Sequence, residues 1–356
     1  MTSRTAEPSP EPLWTDFEPA SCTRFSLPVE QKDGTVLPLP GYVVRGATSG
    51  PTLYLHASQH GTELNGIKAI LDIVAATEPT ALSGTLVAVP VANPLAIRSR
   101  SYLPEGEPNA NRAWPGDPQG ENVQRIVHAL FDNLVRHADA VLDYHGINAR
   151  YASAIWMGEP EYDIAIELAR VFGLPCIEMV GGKGDQPKTF LKPGVDVRVC
   201  CARDLSIPAI TVEPRGEMVT RPDSVRELVQ GAFNVMRWLG MLSGEPQAPP
   251  FRAGGRRVEL AAPMEGLYYA RVEPGELVDE GTVLGELVSF TTLEVERIIA
   301  PMHGFVYMNG PYLRDGHTLN DIADEGEGVV IMWETVAPDD ASWRPPAHQS
   351  PAKSKG

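Results

Sequence analysis

Cysteine is too scarce and too badly spaced to organise this chain. Cys22, Cys176, Cys200 and Cys201 include no C-x-x-C pair, so neither a thiolate zinc site nor a redox motif is available. Cys200 and Cys201 are neighbours in sequence, a poor geometry for bridging each other. All four read as reduced thiols, mostly packing residues of a cytosolic protein. Net positive charge is lacking as well. Thirty Lys and Arg against 46 Asp and Glu give −16, and a nucleic-acid backbone or an anionic membrane would repel such a protein. An acidic, soluble surface is explanation enough. The N-terminus lacks a basic start followed by an apolar run, so no signal peptide is expected. No stretch approaches ~18 consecutive apolar residues, so no membrane span is expected.

What is present is ordinary globular composition, 43% hydrophobic and 21% charged over 356 residues, enough for two domains and a sizeable core without staples. Residues 1–20 and 336–356 are rich in Pro, Ser and charge and read as flexible ends. Residues 243–254 are dense in turn formers and read as a linker. Between residues 21 and 242, strand and helix patterns alternate. Strands are expected at 52–55, 85–91, 140–144 and 208–212, and helices at 64–76, 119–137, 161–172 and 224–239. That order predicts an α/β layer structure, a mostly parallel (mixed) sheet flanked by helices. From 255 to 335 the pattern changes to short strands and Gly turns. Ala262-Pro-Met-Glu-Gly266 is echoed by Ala300-Pro-Met-His-Gly304, which suggests two similar halves of a small β sandwich or barrel.

The strongest local signal is Leu55-His-Ala-Ser-Gln-His60-Gly-Thr-Glu63, between a strand and a helix. Ligands gather beyond the carboxyl ends of strands in open α/β sheets. His60 and Glu63 share a tight Gly-containing turn and can converge on one cation. His145, in Asp143-Tyr-His-Gly146, stands at another expected strand end. Two His and one Glu with a vacant fourth position is a catalytic zinc arrangement, and Asp143 would lie behind it. An H-x-x-E match alone is common by chance; the D-x-H-G strand end adds weight. His56 could join His60, although the two need not face the same way. His128 and His137 read as solvated helix residues, His303 and His317 fall in the second region, and His348 in the tail. A polar block holds Arg98, Arg100, Asn109, Asn111 and Arg112. The Asn111-Arg112 pair could present a fork of donors to a carboxylate, or be an ordinary polar loop. Glu213 ends an apolar strand and could move a proton near the metal, or simply pair with an Arg.

Together, His60-Gly-Thr-Glu63, Asn111-Arg-Ala-Trp-Pro-Gly116, Asp143-Tyr-His-Gly146 and Pro208-Ala-Ile-Thr-Val-Glu213 resemble, in order, motifs of the succinylglutamate desuccinylase/aspartoacylase family. The resemblance spans roughly residues 45–335. It implies a zinc carboxypeptidase-like fold followed by a barrel-sandwich domain of lipoyl/biotinyl type. It implies one Zn2+ per chain on His60, Glu63 and His145, Glu213 as general base and then acid, and Asn111 and Arg112 on the carboxylate of an amino acid. Arg100, with Arg98 second, matches the arginine that polarises the scissile carbonyl in relatives. Pro214-Arg215-Gly216 departs from the Leu-Gly-Gly of many relatives, which marks Arg215 as a specificity residue of a subgroup. No Lys lies between Lys192 and Lys353, so the second domain cannot carry lipoate or biotin. The activity implied is deacylation of a small N-acyl amino acid or diamino acid in the cytoplasm. The rivals are a metallocarboxypeptidase acting on short peptides and a silent binding protein on the same fold. A small molecule is the expected partner, nucleic acid and membrane are not, and assembly into a homo-oligomer is left open.

Overall fold

A computed structural model describes residues 11–158, 162–179, 195–311 and 320–345. The chain opens with a hairpin, β1 (Ser21–Glu30) and β2 (Val36–Arg45), in continuous antiparallel register from Ser21↔Arg45 to Glu30↔Val36. Strict alternation turns Phe25, Leu27 and Val29 inward, as a strand with one covered face requires. There follow β3 (Thr48–Ala57), α1 (Asn65–Ala76), β4 (Ser83–Val89), α2 (Pro94–Ser99), α3 (Asn122–Asn133), β5 (Ala140–Tyr144), β6 (Ala154–Met157), α4 (Tyr162–Phe172), β7 (Cys176–Met179), α5 (Val197–Cys200), β8 (Ala209–Glu213) and α6 (Pro222–Trp238). The second region supplies β9 (Arg252–Ala261), β10 (Gly266–Ala270), β11 (Leu277–Val278), β12 (Val283–Val288), β13 (Val295–Ile299), β14 (Gly304–Asn309), β15 (Ile322–Ala323) and β16 (Gly328–Val336).

Strands β4, β3, β5 and β8 run parallel at the sheet's centre. Antiparallel pairs flank them, β2 with β4 on one side and β6 with β8 on the other. The sheet is therefore mixed: the four strands that carry the motifs are parallel, and β6, β7 and β9 form a second parallel run beyond the antiparallel β8–β6 pair. Their apolar runs follow from burial on both faces. Leu53, Leu55, Leu86, Leu142 and Ile210 pack with α1, α4 and α6. Their neighbours Tyr54, Val87 and Val141 pack instead with the β1–β2 hairpin, α3 and Trp114. Each buried Leu or Ile contributes ~1.5–3 kcal/mol. Helix α6 begins with Pro222 in its first turn, where the missing N–H costs nothing. Gly231 lets it lie close on α4: a Cβ there would come within 2.2 Å of the Phe172 ring.

The long sheet does not stop at the second region. β7 pairs with β9 at Cys176↔Ala253, and the order continues through β16, β14 and β11. β9 begins at Arg252, inside the stretch read as linker. A second sheet, β13-β12-β10-β15, lies against this extension. Between them sit Leu284, Leu287, Ile298, Val306, Val330 and Met332, with both echoed segments, through Ala262 and through Ala300 and Met302, in the same core. The ends are tied down in places: Trp14 is buried under the hairpin, and Trp343 is buried beside Arg170 and Arg252. Among the described residues no helix is long and apolar enough to cross a membrane.

Candidate metal centre

Three strand ends build the site. After β3 the chain turns sharply through Ser58 to Glu63. Ser58 sits at φ 59, a conformation costly for a non-glycine residue, and its hydroxyl donates to the Glu63 carbonyl at 2.7 Å. Gly61 is required by contact, since a Cβ there would lie 2.1 Å from the Ala96 carbonyl oxygen. This turn throws His60 and Glu63 to the same side, and β5 ends by presenting His145 to them. All three are buried, and one ligand atom from each lies within 4.8 Å of the others. His60 Nδ1 is 2.9 Å from Glu63 Oε1, and His145 Nδ1 is 3.1 Å from Glu63 Oε2.

These residues fit a divalent cation on several counts. Two donors about 2.05 Å from one ion at a tetrahedral angle stand about 3.3 Å apart, close to both separations. Glu63 Oε2 is buried and receives no well-directed hydrogen bond, with His145 Nδ1 its neighbour at 3.1 Å, a cost that a cation removes. Both imidazoles are oriented from behind, which leaves Nδ1 as the ligand atom. His60 Nε2 lies 3.0 Å from Asn109 Oδ1, and His145 Nε2 donates to Asp143 Oδ2 at 3.0 Å. Asp143 is fully buried and also accepts from His56 Nε2, Gln59 Nε2 and the Thr211 hydroxyl. Burial alone would push the His145 imidazole down, yet Asp143 and Glu63 outweigh it and hold its pKa well above the usual value. Burial likewise works to raise Glu63, and His145 and His60 outweigh it to hold the carboxyl low. The site thus attracts positive charge even with protein groups alone.

Glu213 ends β8, opposite Ala154 of β6, and is buried. Burial pushes its carboxyl up to about 8; His145 opposes this, Glu63 and Asp143 reinforce it, and Arg198 opposes it. A carboxyl with that proton affinity suits proton transfer near neutral pH.

The other expected residues separate. Arg112 is exposed and donates to the Asn111 carbonyl at 2.6 Å, while Asn111 keeps a buried Oδ1 without a partner. Arg98 and Arg100 are exposed at the end of α2, and their guanidinium groups make no hydrogen bond or ion pair among the described residues. Arg215, expected as a specificity residue, is engaged within the protein. Its guanidinium donates to Glu273 at 2.6 Å, to the Pro274 carbonyl at 3.3 Å and to Asp223 at 2.9 Å. It fastens the loop after Glu213 to the second region. His56 faces Asp143 and stacks on Trp114, apart from the ligand triad. His137 lies edge-on to Trp14, and His303 pairs with Asp279. His317 and His348 lie outside the described residues.

Sequence reading gave no role to Asn109, Gln59, Tyr102, Arg198 or Glu217. Tyr102 stacks on His60 with ring centroids 3.9 Å apart. Gln59 spans Trp114 Nε1 and Asp143. Asn109 stood two residues before the Asn111-Arg112 pair, so its position was a visible signal; the rest depend on distant parts of the chain.

Residues 49–239 match the sequence model of the succinylglutamate desuccinylase/aspartoacylase catalytic domain. The chain belongs to this family. One relative, the N-alpha-acetyl-L-2,4-diaminobutyric acid deacetylase of Halomonas elongata, is 27% identical over 254 residues, 68% of this chain and 71% of the relative. Among solved structures, a succinylglutamate desuccinylase from Silicibacter sp. TM1040 superposes with a TM-score of 0.64 at 20% identity, covering 88% of this chain and 95% of that one. The product-bound ectoine utilization protein EutE (DoeB) from Ruegeria pomeroyi gives 0.62 at 19%, covering 89% and 98%. These likenesses carry the fold. Family membership makes the chain a hydrolase.

Proposed function

We propose that the chain is a zinc-dependent deacylase of a small N-acyl amino acid or N-acyl diamino acid, releasing a carboxylic acid and a free amine. The observation that carries this reading is the convergence of His60, Glu63 and His145 beside a buried carboxyl, Glu213, whose proton affinity is tuned toward neutral pH. The deacetylase relative supports the substrate class. The reading includes a zinc carboxypeptidase-like origin for the α/β part and a barrel-sandwich character for the second region. It also places the protein in the cytoplasm.

His60 and His145, each through Nδ1, and the Glu63 carboxylate would hold one Zn2+, a nitrogen and oxygen donor set that this ion accepts. When bound, the ion supplies a Lewis acid that makes water acidic near neutral pH and polarises an acyl carbonyl. Glu213 takes the proton from the attacking water and returns it to the leaving nitrogen, which avoids expelling an amide anion. Arg100, or Arg98 in its place, meets the charge developing on the acyl oxygen. Asn111 and Arg112 hold the substrate carboxylate, Asn111 by donating from its side-chain NH2 and Arg112 from its guanidinium. A screen of zinc-loaded protein against N-acyl amino acids and dipeptides tests the proposal. Amine release from the former and not the latter is expected; cleavage of dipeptides alone would make the enzyme a peptidase.

A further inference from the structure

The loop after Glu213 reaches over the ligand-bearing turns. Gly216 and Glu217 both donate their N–H groups to the Ile147 carbonyl, two residues past His145. Met218 donates its N–H to the Thr62 carbonyl at 2.7 Å, and the Thr62 hydroxyl donates to Glu217 Oε1 at 2.8 Å. Thr62 is the residue before Glu63. Glu217 is therefore pinned, half-buried, between the two turns that carry the metal ligands. No Lys, Arg or His pairs with it among the described residues. The arginines on its own loop are drawn elsewhere: Arg215 to Asp223 and Glu273, and Arg221 to Asp223. Tyr102, stacked on His60, marks the same space. Glu217 thus brings an unneutralised carboxylate up against the turns that carry His60, Glu63 and His145.

We propose that Glu217 is a subsite for a cationic nitrogen of the substrate, so that the enzyme takes N-acyl amino acids bearing a second, free amino group. The idea rests on the deacylase reading and narrows it. An ammonium bound at Glu217 gains a charge-assisted hydrogen bond in a half-buried setting, while Arg112 takes the carboxylate. A substrate with additional carboxylates, such as an N-succinyl amino acid with an acidic side chain, would meet repulsion at the same place.

Glu217→Gln is a suitable probe, because the amide oxygen can still accept from Thr62 and hold the loop. Zinc-loaded wild type and E217Q are titrated by calorimetry with L-2,4-diaminobutyrate and L-2-aminobutyrate, amino acids that differ only in the second amine. Wild type should bind the diamino acid at least about tenfold more tightly, less so at high salt. E217Q should bring the ratio close to one. Equal binding of the two by wild type, or an unchanged ratio in E217Q, overturns the proposal. Binding is read without turnover. Failure to cleave any N-acyl amino acid would therefore sink the deacylase reading separately, while the titrations still judge Glu217.

Discussion

At the scale of single residues, identity and role come apart most clearly at Asn109 and Glu213. Asn109 offers a neutral oxygen to His60, whereas Asp143 offers a carboxylate to His145. Removing such an orienting group typically costs 10–100-fold in metal affinity. Asn109→Ala should therefore weaken zinc binding by about that factor, read by competition with a chromogenic chelator. Glu213→Gln should do the reverse, keeping zinc at full stoichiometry while turnover falls about 10²–10⁴-fold. An active E213Q would remove Glu213 from proton transfer. Its proton affinity also has a thermodynamic signature. A carboxyl raised to about 8 in the fold, against ~4.3 in an unfolded chain, binds its proton more tightly when folded. The stability it contributes is present at low pH and is lost as pH rises through about 8. Metal-stripped wild type should therefore lose thermal stability relative to E213Q between about pH 5 and pH 9. Parallel melting curves across that range would contradict the assignment.

Among the elements, the strand-to-helix turn at residues 58–63 is tightly constrained. Ser58 holds a left-handed backbone and Gly61 touches the Ala96 carbonyl. Substituting Gly61 by Ala forces either the α2 backbone or the turn to move. G61A is expected to fold with its two cores intact but to bind zinc at least about tenfold more weakly, since a shift below 1 Å already spoils a ligand set. Unaltered affinity would mean that α2 gives way instead. Helices α1, α3, α4 and α6 were readable within a few residues because their apolar faces recur at helical spacing. The β1–β2 hairpin and the short strands β6 and β7 were not. Pro28 and Pro38 stand opposite each other in the hairpin, and residues that normally mark turns there sit within a two-stranded ladder. β6 and β7 are four residues each, too short for a period to declare itself.

For the whole molecule, the second region is bound to the first through backbone, core and charge together. β9 extends the sheet from β7, Phe305 and Trp333 share a core with Ala154 and Cys176, and the Tyr307 hydroxyl donates to the buried Glu178 at 2.7 Å. Arg215 adds an ion pair that reaches from the loop after Glu213 to Glu273. A chain ending at residue 242 would leave β7 as an uncovered edge beside exposed apolar side chains, a template for aggregation. That truncation should elute as aggregate in gel filtration. A monodisperse product with normal zinc content would show that the first region is self-sufficient.

Residue types and their order along the chain were enough to identify the α/β layering, the ligand candidates His60, Glu63 and His145, and the strand-end carboxylate Glu213. Each depends on local chemistry or on periodicity, both of which are written in neighbouring residues. Other features were decided by the tertiary structure alone: which imidazole nitrogens converge on Glu63, the high proton affinity of Glu213, the ion pairs of Arg215, and the contacts of Tyr102 with His60 and of Glu217 with Thr62. Those depend on burial and on distances between segments 42 to 155 residues apart, and electrostatic energies change severalfold with both.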